Sequence, residues 1–128
     1  MHRIMLREVI IDVPAARFDD VTAFWAGALA ATSHPVPDEP FVGLHGAASL
    51  PHVATQDIGD DPTPRYHLDI ETDDLEAEIA RLEGLGATVR TRYDDYAVMA
   101  DPVGLLFCLL PPVSEEFEQR AKTVGAQS

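Results

Sequence analysis

The feature that most constrains this chain is that it runs through one order of elements twice, and such internal repeats fix architecture more firmly than any single motif. Residues 6–13 read as a strand rich in β-branched residues. Glu8, Ile10 and Asp12 alternate there with Val9, Ile11 and Val13, which gives the second set an apolar face. Pro14 ends the strand. Asp19 or Asp20 then stands where a helix cap belongs, ahead of Val21, Phe24, Trp25, Ala28 and Leu29 at helical spacing. On that stripe Trp25 is expected to pack in the core. The three prolines of residues 34–40 forbid helix and suit a loop or an irregular edge strand. Short strand-like runs follow at 41–44 and 52–56, joined by a Gly/Ala/Ser turn, and 57–64 is a polar, proline-punctuated linker.

Then the order begins again. His67, Asp69 and Glu71 alternate with Leu68 and Ile70, and Asp73 or Asp74 caps a helix with the stripe Leu75, Ile79, Leu82 and Leu85. Gly86 sits where helices stop. Strands are expected over 88–91, 96–100 and 105–110, the last two joined by the tight reversal Asp101-Pro102-Val103-Gly104. From Val113 the chain is polar and reads either as a short helix near 115–122 or as a frayed end. In the repeat, Glu8 to Asp12 corresponds to His67 to Glu71.

A length of 128 residues suits one domain with a real core. The net charge of −13, from 22 acidic and nine basic residues, repels phosphate backbones and anionic lipid and argues against nucleic-acid or membrane partners. The single cysteine cannot make an internal disulfide, the first residues lack a signal peptide's apolar run, and no segment is long enough to cross a bilayer. These features point to the cytoplasm.

Several stretches resemble the vicinal-oxygen-chelate superfamily of glyoxalases, bleomycin-resistance proteins and dioxygenases, and within it the glyoxalase-like subgroup of unassigned function. They are residues 65–77 (Arg-Tyr-His-Leu-Asp-Ile-Glu-Thr-Asp-Asp-Leu-Glu-Ala), the helix end and Gly-Ala turn of 82–88, the Asp-Pro-x-Gly hairpin at 101–104 and the Phe24-Trp25 pair. The ordered set is specific where no single stretch is. The resemblance implies an α+β fold of two βαβββ modules, whose mostly antiparallel sheet curves into a cup with the helices outside. The expected limits are 4–58 for the N-terminal module, 59–64 for the linker, 65–112 for the C-terminal module and 113–128 for the tail. Val9, Ile11, Leu68 and Ile70 would then meet the helices, leaving Glu8, Asp12, His67, Asp69 and Glu71 toward the cup. A homodimer is the expected assembly.

By position, the four metal ligands of metal-dependent relatives fall on Glu8, Gln56, His67 and Cys108. Glu8, His67 and Gln56 offer oxygen and imidazole donors suited to Zn, Mn, Fe or Ni, whereas a thiol at the fourth position departs from the relatives' glutamate. Cys108 in an apolar run reads as a small buried packing residue. Asp69 or Glu71 are the expected partners of the His67 ring. His34, His45 and His52 show no ligand spacing. The expectation is therefore a small-molecule-binding protein of resistance or sequestration type, with no metal cofactor and a pocket containing Asp12, Gln56, Asp69 and Cys108. Two enzymatic alternatives stay open. One is a metal-dependent lyase, isomerase or dioxygenase with Glu8 or Glu71 moving protons; the other is a metal-free acid–base enzyme using His67 and a carboxylate.

Overall fold

Both expected repeats form, and each takes the same connectivity. The computed structural model describes residues 1–47 and 52–125, so part of the turn expected near residue 50 lies outside the described residues. The first repeat comprises β1 (His2–Val13), α1 (Phe18–Ala28), β2 (Thr32–Pro35), β3 (Phe41–His45) and β4 (His52–Asp57). The second comprises β5 (Arg65–Thr72), α2 (Leu75–Leu85), β6 (Thr88–Arg92), β7 (Ala97–Ala100) and β8 (Leu106–Leu110). In each, the first strand pairs in parallel with the last, and the last three form an antiparallel meander. The chain is α+β, with two βαβββ modules. The division into compact units does not follow the linker. One unit is Glu8–His67; the other is Met1–Arg7 with Leu68–Ser128, so the cuts fall inside β1 and β5.

In the Glu8–His67 unit, α1 packs through polar contact. Of its residues only Thr22 is buried, and its hydroxyl bonds that of Thr55, also fully buried, at 2.9 Å. Because Thr55 stands opposite Ile11 in the parallel ladder, Ile11 shares the α1 side of the sheet with it. Glu8, Ile10 and Asp12, with their neighbours His52, Ala54 and Gln56, lie on the other side. The expected apolar stripe of α1 is not a core stripe: Phe24 is 64% exposed, and Trp25 is half-buried, edge-on to Phe24 and Tyr66. Neither Asp19 nor Asp20 caps the helix. A 3-10 turn over Ala15–Arg17 leads straight into it, and Asp20 accepts from the Arg17 guanidinium at 2.7 Å. The Pro-rich stretch does give an edge strand, β2, exposed throughout.

The other unit carries the clearer core. Ile79 of α2 packs with Ala97 and Met99 of β7 and Leu109 of β8, and Ile70, Leu82, Val89 and Phe107 close around them. Helix α2 is bounded as its sequence demands. The Asp74 carboxylate accepts from the Ala77 amide at 3.0 Å, and Gly86 takes the left-handed conformation with φ 111°. Leu68, expected against the helix, is instead 42% exposed near the start of its strand. The described residues of the tail form two short elements. Its helix α3 (Phe117–Arg120) buries Phe117 beneath the Arg3 guanidinium, and β9 (Lys122–Val124) pairs antiparallel with the start of β1. A second buried contact ties β1 to α2: the His2 ring bonds the fully buried Glu78 carboxylate at 2.7 Å, and Arg81 bonds the same group.

Candidate functional site

Within the Glu8–His67 unit, the side of the sheet away from α1 brings together Asp12 and His67, which are 55 residues apart in the chain. The Asp12 carboxylate is buried, 3% exposed, and its Oδ2 lies 2.9 Å from His67 Nδ1. Arg65 is the nearby cation, 3.7 Å from the same oxygen. Where the Asp12 carboxylate accepts, Nδ1 carries the hydrogen, and a neutral ring in that tautomer has its lone pair on Nε2. Asp12 therefore orients His67 as a base or a ligand through Nε2, the arrangement that orients histidines in many sites. Asp12 Oδ1 is buried with no hydrogen-bond partner among the described residues. Such an orphaned acceptor costs free energy unless a donor reaches it. Gln56 is half-buried and adjoins Asp12 in the parallel ladder, while Glu8 adjoins His52.

Within the other unit, Asp69 and Cys108 are register neighbours on β5 and β8, and Val98 faces Cys108 from β7. Because Ile70 belongs to the α2 core, Asp69 and Glu71 point to the opposite side of β5. Asp69 is 6% exposed and Cys108 half-buried. Tyr96, two residues before Val98, shares that side, and the Tyr93 ring stacks on it at 4.3 Å. Burial pushes the Tyr96 phenol up, and Tyr93, Cys108 and Asp95 push in the same direction. The result is an aromatic shelf beside one carboxylate and one sulfur. Glu71 is committed elsewhere. It is fully buried and accepts from the Ser114 amide at 3.3 Å and from the Ser114 hydroxyl, with Arg7 Nε at 3.5 Å. Its two oxygens hold the tail.

Sequence reasoning named Asp12 as a pocket residue but not as the partner of His67, because the contact depends on strand register. The approach of Tyr96 to Cys108 likewise comes from the ladder, in which Val98 faces Cys108.

Residues 8–110 match the glyoxalase-like domain family. The chain belongs to that family. No functionally curated protein matches it. Among solved structures, the glyoxalase-like chain is similar to the hypothetical protein BH1468 from Bacillus halodurans, with TM-score 0.57 and 14% identity over 98% of this chain and 99% of that one. That likeness concerns the fold alone. Two glyoxalase I variants from Zea mays match 80% of this chain at 16% identity, with TM-scores of 0.31 and 0.30, over 45% and 44% of their own lengths. No helix among the described residues is long and apolar enough to cross a membrane.

The superfamily's four-ligand metal arrangement can be tested on the register of this glyoxalase-like chain. In the second module, Cys108 stands beside Asp69, two residues after His67. The matching residue two after Glu8 is Ile10, and its β4 neighbour is Ala54. In that register Ala54, which has no donor atom, matches Cys108, and Gln56 lies two residues further along β4.

Proposed function

We propose that this glyoxalase-like protein is a binding domain for a small, partly aromatic or apolar molecule and works without the superfamily's complete metal site. The observation that carries this reading is Ala54 at the position where the fourth ligand belongs. The Tyr93–Tyr96 shelf beside Cys108 and Asp69 supports it by offering what such ligands need, an apolar wall with few polar anchors. A metal-dependent lyase, isomerase or dioxygenase would lack a quarter of its ligands. On this reading residues 1–128 act as one cytoplasmic domain, paired as a homodimer. The exposed Phe24 and Tyr66 with half-buried Trp25 give a second copy something apolar to cover. Light scattering on the purified protein reads the assembly directly.

The test is a screen of aromatic fragments by ligand-observed NMR in excess EDTA. Binding is expected to persist under chelation and to weaken about tenfold in Tyr96→Ala. Ligands that bind only after a divalent ion is restored, with turnover, would overturn the reading.

A second reading rests on the 2.9 Å contact between Asp12 and His67. It makes the protein a metal-free acid–base enzyme, with His67 Nε2 moving the proton and Asp12 positioning the ring. A pH–rate profile that keeps its histidine limb in His67→Ala would remove it.

A further inference from the structure

Of the five histidines, His2 bonds Glu78 and His67 bonds Asp12, and the ladders of the Glu8–His67 unit gather the other three. His34 of β2 stands opposite Gly43 of β3, and Gly43 stands opposite Ala54 of β4. Thr55 marks the α1 side, so Ala54, Gly43 and His34 share the side away from the helix. His45 and His52 are the next residues on that side of β3 and β4. All three imidazoles are exposed. His34 and His45 are stacked, with ring centroids 4.1 Å apart and planes within 15°. The contact depends on Gly43. A Cβ there would meet His45 Nε2 at 2.8 Å and Cδ2 at 3.1 Å, so the ring lies in the space that any other residue would fill.

We propose that His34 and His45, with His52 beside them, form a surface site for a divalent transition metal such as Zn²⁺, Ni²⁺ or Cu²⁺. Imidazole nitrogen is a preferred donor for these ions, and two rings already in contact lose little freedom when they share one. The rings are exposed, and sharing an ion requires them to rotate out of the stack until their nitrogens converge. The net charge of −13 raises the local concentration of cations around the whole molecule. The site borders the superfamily's metal positions, at Glu8 beside His52 and at Ala54 opposite Gly43, but takes neither of these residues as a ligand.

Titration of Zn²⁺ or Ni²⁺ into the purified chain, followed calorimetrically, tests the proposal. Saturable binding of one ion is expected, weakened about tenfold or more by His34→Ala and by His45→Ala. Gly43→Ala should weaken it too, by displacing the His45 ring, and melting curves without metal check that each variant is folded. Binding that survives both histidine substitutions, or no saturable binding at all, overturns the site. Binding lost in His67→Ala but kept in His34→Ala would instead put the ion at the superfamily's position, and would count against the metal-free function as well. Fragment binding in EDTA reports on that function independently.

Discussion

Among single residues, Glu78 shows most clearly how chemistry is committed to holding the fold. Burial by itself would raise its pKa, but the bonds from Arg81 and His2 outweigh that and hold the carboxyl below its ordinary 4.5. A group depressed on folding contributes stability that is present above its unfolded pKa and is lost as pH falls through the folded value. Glu78→Gln should therefore cost about 2–4 kcal/mol at pH 7, where the charged bonds are intact. The gap from wild type should close as the pH drops below about 4.5. Urea unfolding of both proteins from pH 7 to pH 3 measures this, and a gap constant with pH would show that the charge is irrelevant. The sequence hides this network, as it hides Asp12 with His67, since the partners lie 76 and 55 residues apart. Alternation along a strand says which residues share a side. It does not say which strand lies alongside, and that decides whether a candidate base has its carboxylate.

At the scale of elements, α2 and α1 give opposite lessons. Asp74→Ala should cost about 1 kcal/mol, read as a lower midpoint in thermal unfolding, because it removes the side-chain acceptor for the Ala77 amide. Asp20→Ala at α1 should stay within about 0.5 kcal/mol, since the pair that Asp20 makes with Arg17 is exposed. Cap, glycine stop and most of the stripe were legible in α2, whose Leu75, Ile79 and Leu82 meet an apolar core while Leu85 stays 68% exposed. In α1 the same spacing misled, because this helix touches its sheet through Thr22 and leaves Phe24 outside. Spacing records an apolar stripe but not what covers it. The repeated strand–helix–three-strand order, resting on long periodic segments, was legible throughout.

For the whole molecule, 22 acidic residues against nine basic ones make self-repulsion a general destabilising term. Raising sodium chloride from about 10 mM to 150 mM shortens the screening length from about 30 Å to about 8 Å, so the thermal midpoint should rise. A midpoint that fell with salt would mean that surface pairs such as Arg3 with Glu118 outweigh the repulsion. The unit boundaries carry a different consequence, one of timing. The Glu8–His67 unit is a continuous stretch and has all its parts once His67 has left the ribosome. The other unit needs Met1–Arg7, made before any of its companions, and these seven residues must wait through sixty more before Leu68 and the strands beyond it arrive. During that wait His2 has no Glu78 and Arg3 has no Asp73. An extension fused ahead of Met1 would ride on the segment that waits longest, so its effect should appear in how fast the protein folds more than in how stable it finally is.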